Sequence, residues 1–125
     1  MIVDDDRAVL EAMRVMLTGW GMEVAAADSG AMILGKLRTA ERCPDLILCD
    51  YRLRDGESGI DVIRDVREEF NADIPAALVT GDTGPERLKE ATASGLPLLH
   101  KPVKASRMRA LVGLLLREAS AERAT

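Results

Sequence analysis

Aromatic residues are nearly missing from this chain of 125 residues, which holds one Trp, one Tyr and one Phe, 2% of the total. A core here must be built from Leu, Ile, Val, Met and Ala. Cysteine is equally scarce. Cys43 falls in a predicted loop and Cys49 in a predicted buried strand, which suits reduced thiols in a cytoplasmic protein better than a disulfide. No excess of basic charge exists either: the net charge is −4 and the pI about 5.0. Phosphate backbones are bound by basic patches, so nucleic acid is excluded as the expected partner. No apolar run approaches the length of a membrane span, and the first residues carry no signal-peptide pattern, so no membrane contact is expected. The length and the 47% apolar content define one domain, residues 1–125, large enough to bury a core without staples.

What the chain does contain is organised around Asp45-Leu-Ile-Leu-Cys-Asp50. A short apolar run that ends on a carboxylate reads as a strand buried on both faces, and such strands belong to parallel sheets. Around it, strand and helix alternate five times. Met1–Val3 is a strand stub, as in a segment cut inside strand one, and it leads into Asp4, Asp5 and Asp6. Helix one carries Val9, Met13, Met16, Leu17 and Trp20 at helical spacing and stops at Gly19 and Gly21. Strand two is expected over Glu23–Ala27, followed by helix two, capped by Asp28 or Ser29, with Ile33, Leu34 and Leu37 inward. After Asp50 a charged, glycine-containing loop leads to Ser58 and Asp61, which open helix three with Ile60, Ile63, Val66 and Phe70 as its buried stripe. Ala76–Thr80 is strand four. Thr83 with Glu86 forms a capping box around Pro85 for helix four, which Gly95 ends. Leu96–Pro102 is strand five, and Lys104 to Ala119 the last helix. The fold class is a doubly wound α/β sandwich with right-handed crossovers.

Ligands in open α/β sheets bind at the carboxyl ends of the strands. There the chain delivers Asp4 and Asp5 from strand one, Asp50 from strand three, Thr80 from strand four and Lys101 from strand five. Clustered carboxylates repel, and a hard divalent cation with oxygen ligands relieves them; Mg²⁺ suits a site of two or three carboxylates shared with a phosphate. A carboxylate so placed can act as a nucleophile toward phosphorus, with a lysine and a threonine hydroxyl holding the transferred oxygens.

Four segments, Val3-Asp-Asp-Asp6, Asp45-Leu-Ile-Leu-Cys-Asp50, Leu78-Val-Thr80-Gly and Leu99-His-Lys101-Pro102, together resemble the response-regulator receiver domain over the whole chain. The resemblance implies a flavodoxin-like (βα)5 fold with strand order 2-1-3-4-5. It makes Asp50 the phosphoacceptor, Asp5 a direct Mg²⁺ ligand, Asp4 a ligand through water, and the Arg52 backbone carbonyl a further ligand. Thr80 and Lys101 would hold the phosphoryl group, and the peptide before Pro102 would be cis. The partner implied is a histidine kinase or its phosphohistidine domain. Leu78-Val-Thr-Gly-Asp-Thr and Leu98-Leu-His-Lys-Pro-Val103 are similar to the C-terminal receivers of hybrid sensor histidine kinases. The isolated domain would then be an acceptor rather than an enzyme, within a parent chain that is a kinase. A stand-alone regulator and a phosphorylation-independent interaction domain are the alternatives; a phosphohydrolase would be expected to bring a cap domain to shield its substrate, which is not expected here.

The sequence also departs from that family. Leu98 stands where an aromatic is usual, three residues before the lysine, and Arg54 where proline is common, in a loop one residue longer. Arg52 and Asp82 flank the site at positions that tune phosphate lifetime in the family. Asp6 reads as a helix N-terminal acid, His100 as structural, and Cys49 and the helix-one methionines as core. Leu111, Val112, Leu114, Leu115 and Leu116 surround helix five, so apolar surface there, with helix four, is an expected homodimer or docking face.

Overall fold

The computed structural model describes residues 1–81 and 85–124, with side chains described except at 85–88 and 120–124. The elements are β1 (Ile2–Val3), α1 (Arg7–Gly19), β2 (Ala26–Ala27), α2 (Gly30–Ala40), β3 (Ile47–Asp50), a 3₁₀ turn (Arg54–Gly56), α3 (Gly59–Phe70), β4 (Ala76–Thr80), α4 (Pro85–Ala93), β5 (Leu98–His100) and α5 (Ala105–Ala124). The strands are all parallel, in the order β2-β1-β3-β4-β5. That is the doubly wound sheet expected from the alternation, in the flavodoxin-like strand order that the family resemblance implies.

Successive strand residues point to opposite faces, so each central strand feeds two cores. Val3, Ile47, Cys49, Ala76 and Leu78 pack against Ile33 and Leu37 of α2 and Val62, Ile63 and Val66 of α3. Ile2, Leu48, Ala77 and Val79 pack against Met13 and Leu17 of α1 and Met108, Val112 and Leu115 of α5. Such two-sided burial explains why β3 and β4 read as continuous apolar runs rather than alternating ones.

The helix starts follow local chemistry. Asp6 caps α1 by accepting from the backbone N–H groups of Ala8 and Val9, and Ser29, not Asp28, caps α2 through the Met32 N–H. Ser58 caps α3 through the Ile60 N–H. Gly21 and Gly95 follow α1 and α4 with φ of +87° and +75°, a conformation that favours glycine.

Several expected boundaries move. β2 shortens to Ala26–Ala27 because it is an edge strand whose only partner, β1, offers two paired residues. β5 is limited to Leu98–His100, and α5 runs on to Ala124. On α3, Val62 is fully buried while Ile60 and Phe70 are only half-buried, so the inward stripe is rotated by about one residue. On α5, Leu111 and Leu116 pack partly against the second core, leaving Leu114 as that helix's exposed large apolar side chain among the described residues. The broad apolar surface expected there is therefore narrow. The Thr83–Glu86 capping box and Asp82 lie outside the described residues.

Candidate functional site

The parallel sheet brings the ends of β1, β3, β4 and β5 to one edge. At β1 the chain turns at once into α1, and the turn holds its first acid in place: Asp4 Oδ1 accepts from the Asp6 N–H at 2.9 Å. Asp4 is fully buried. Its Oδ2 lies 3.0 Å from Lys101 Nζ but makes no directed hydrogen bond, so the contact is an ion pair that leaves the oxygen short of a partner. Lys101 Nζ also donates to Asp50 Oδ2 at 3.2 Å. One ammonium thus bridges two carboxylates contributed by β1 and β3. The Lys101–Pro102 peptide is cis.

Asp5 is more open, its side chain 27% exposed, and carboxylate oxygens of Asp4, Asp5 and Asp50 lie within 4.8 Å of one another. Thr80 is buried at the end of β4, and its carbonyl accepts from the Lys101 N–H at 2.8 Å. The structure thus brings Asp4, Asp5, Asp50 and Lys101 into one cluster and sets Thr80 on the adjoining strand end. Asp4, Asp50 and Thr80 are the buried polar or charged residues among those described. The Arg52 side chain is exposed; the antiparallel bridge to Ser58 is carried by hydrogen bonds of Tyr51, Leu53, Glu57 and Gly59, leaving the Arg52 carbonyl unused by it. His100 is exposed and pairs in register with Thr80, which places it beside the cluster rather than in the core.

The electrostatics follow from this crowding. Burial, then the charge of Asp4, pushes the Asp50 carboxyl up to about 7 against the opposing pull of Lys101. Burial draws Lys101 down, but the close contact and charge of Asp4, and the charge and hydrogen bond of Asp50, outweigh it, and its pKa is raised. Cys49, behind Asp50, is pushed up by burial and then by the Asp50 charge, so it stays an inert thiol in the core. Three carboxylates cluster, Lys101 pairs with two of them, and one buried carboxylate oxygen lacks a hydrogen bond. An all-oxygen, negatively charged donor set of this kind fits a hard divalent cation.

Three residues around the site were not singled out as functional from sequence. Gly59 presses on the Asp50 backbone, where an added Cβ would meet the Asp50 carbonyl oxygen at 2.2 Å. Glu57 Oε1 accepts from the Gly30 N–H at 2.9 Å and ties the loop after β3 to the start of α2. Arg54, noted only as a departure, reaches Asp5. The Ser58-Gly59 pair at a helix start was the available signal for the first; the other two are long-range contacts with none.

An open parallel sheet of order 2-1-3-4-5 with an acid cluster and a lysine at its carboxyl edge defines the CheY-like class of signalling domains. The chain belongs to the response regulator receiver domain family, whose model matches residues 1–113. It is 36% identical over 104 residues to the transcriptional regulatory protein ZraR of Klebsiella oxytoca, covering 82% of this chain and 23% of that protein. It is 33% identical over 121 residues to the KDP operon transcriptional regulatory protein KdpE of Escherichia coli strain K12, covering 97% of this chain and 52% of that one. The chain therefore spans about a quarter and about half of these two relatives. Among solved structures, a CheY-like response regulator receiver domain protein from Methanospirillum hungatei JF-1 superposes with a TM-score of 0.81 at 25% identity, covering 97% of this chain and 94% of that one. NtrX from Brucella abortus gives 0.84 at 21% identity, over 98% of this chain and 27% of that one, a likeness of fold alone. No helix among the described residues is long and apolar enough to cross a membrane.

Proposed function

We propose that this domain accepts a phosphoryl group on Asp50 from the phosphohistidine of a histidine kinase, with Mg²⁺ at the acid cluster. The convergence of Asp4, Asp5 and Asp50, with Lys101 paired to Asp4 and Asp50, carries the reading. An Asp50 carboxylate oxygen attacks phosphorus, the P–N bond breaks, and its electron pair leaves with the imidazole. Lys101, already on Asp50, follows the negative charge to the phosphoryl oxygens, and Thr80 offers its hydroxyl from the next strand end. Asp5 and Asp50 directly, Asp4 through water and the Arg52 carbonyl would hold the metal. Bound Mg²⁺ supplies charge neutralisation at the transferring oxygens and keeps the carboxylates ionised.

As an isolated domain it is an acceptor rather than an enzyme. We place it in the cytoplasm, within a hybrid histidine kinase, on the wording of its β4 and β5 motifs. The curated relatives are named as transcriptional regulators and are only partly spanned, so the output of the whole protein is part of this proposal. A homodimer through α4 and α5 has a narrower basis, since Leu114 is the exposed large apolar side chain of α5. A second reading, an interaction domain indifferent to phosphate, is favoured by Leu98, half-buried in the usual aromatic position.

Intact-mass analysis after incubation with acetyl phosphate separates these readings. A single adduct that requires Mg²⁺ and is lost in Asp50→Asn supports acceptance. An unmodified chain under conditions where Mg²⁺ binds supports the scaffold.

A further inference from the structure

Lys101 serves Asp4 and Asp50; Asp5 meets a different cation. Arg54 Nη2 donates to the Asp5 backbone carbonyl at 3.2 Å, and its Nε stands 4.0 Å from Asp5 Oδ2. The arginine opens the 3₁₀ turn that follows β3, and that turn is braced on every side. Leu53 N–H donates to the Glu57 carbonyl and Gly59 N–H to the Tyr51 carbonyl, both at 2.9 Å. Glu57 is fastened to α2 through Gly30, and Asp55 and Gly56 close the turn with φ of +61° and +76°. A braced base thus carries a guanidinium to the rim of the acid cluster, onto its most open carboxylate.

We infer that Arg54 is the standing counter-ion of Asp5 in the metal-free site and that it lowers the affinity of this domain for Mg²⁺. The inference rests on the reading of Asp5 as a metal ligand. A carboxylate oxygen that takes Mg²⁺ must give up the guanidinium, and a fixed positive charge left a few ångströms from a divalent cation repels it. Both effects weaken metal binding. The Arg54 side chain is 67% exposed, so water and salt hold the effect to about two- to fivefold in Kd. Arg54 is a tuning residue that acts through Asp5; it is not placed as a ligand.

Isothermal titration calorimetry of the 125-residue chain with MgCl₂, without phosphodonor, tests this. Arg54→Gln should bind Mg²⁺ about two- to fivefold more tightly than wild type at low ionic strength, with the gain shrinking as salt is raised. Arg54→Lys, which keeps the charge, should stay near wild type. Arg54→Met repeats the loss of charge while keeping the aliphatic stem, and thermal melting in EDTA verifies that each variant folds. If Arg54 merely braces the loop, the neutral variants would bind Mg²⁺ equally or more weakly, which overturns the inference. Asp5→Asn separates the two levels. Saturable wild-type binding that Asp5→Asn abolishes, with Arg54 variants unchanged, overturns the role of Arg54 alone. No binding by wild type overturns the metal site and this inference with it.

Discussion

The two ends of the sheet obey different rules. At the carboxyl end, the chain buries Asp4, Asp50 and Thr80 beside Lys101. At the amino end, a cavity of about 800 Å³ is lined by Leu17, Met22, Leu46 and Leu116 together with Glu23, Lys36, Arg42 and Asp45; the Arg42–Glu23 pair is exposed, and the Met1 ammonium, which donates to the Leu46 carbonyl at 3.0 Å, has its pKa drawn down to about 6 by burial. Burying an ionised carboxylate costs several kcal/mol unless it is paired, whereas an apolar lining with solvated charges costs almost nothing. The cluster of buried charged side chains, found among the described residues at the carboxyl end, therefore marks where the fold gives up stability for chemistry.

The largest expected effect comes from removing the shared cation. Lys101→Met leaves Asp4 and Asp50 facing each other without a counter-charge, and should destabilise the metal-free domain by about 2–4 kcal/mol at neutral pH. Chemical denaturation in EDTA reads this directly. Restoration of most of that loss by Mg²⁺ would show that the deficit is electrostatic.

Asp50→Asn should act in the opposite direction. The folded Asp50 carboxyl holds its proton up to about 7, above the ordinary value of 3.8, so the folded state binds more protons than the unfolded one between those limits. Stability then falls as pH rises from about 4 to about 7. The neutral asparagine removes that slope, and at pH 7 without metal the variant should be more stable on the order of 2 kcal/mol, allowing for screening at the site mouth. Equal pH profiles for the two proteins would contradict the buried-charge picture.

Glycine substitutions sharpen the contrast without touching charge. Gly59→Ala would drive a Cβ into the Asp50 carbonyl and should lower stability by about 1–3 kcal/mol. Gly35→Ala, in the middle of α2 with open space around it, should raise stability by about 0.5–1 kcal/mol. The smallest effect belongs to the amino end, where Arg42→Ala should leave the unfolding midpoint unchanged within error.

The parts of this contrast that were legible in the sequence are those with local causes. Apolar runs ending on Asp50 and Thr80, the capping residues Asp6, Ser29 and Ser58, and the strand–helix alternation all reflect neighbouring residues, and they sufficed to place every strand end at one edge. Long-range side-chain geometry was not legible. Nothing in the order of residues says that Lys101 spans two carboxylates, that Arg54 crosses to Asp5, or that Glu57 fastens to Gly30. Strand lengths failed for the same reason, since β2 is cut to match its partner rather than by its own composition. His100, expected to be structural, is exposed at the end of the edge strand β5, past the point where Leu98 on the same face packs against the core.

The most direct measurement is borohydride trapping of the phosphorylated domain followed by peptide mapping. Reduction of an aspartyl phosphate leaves homoserine at the modified position. Homoserine at position 50 alone, formed only when Mg²⁺ and a phosphodonor are both present, is the predicted result. Homoserine at position 4 or 5 would contradict the assignment of Asp50 as acceptor, as would an unmodified peptide map from a domain shown to bind Mg²⁺.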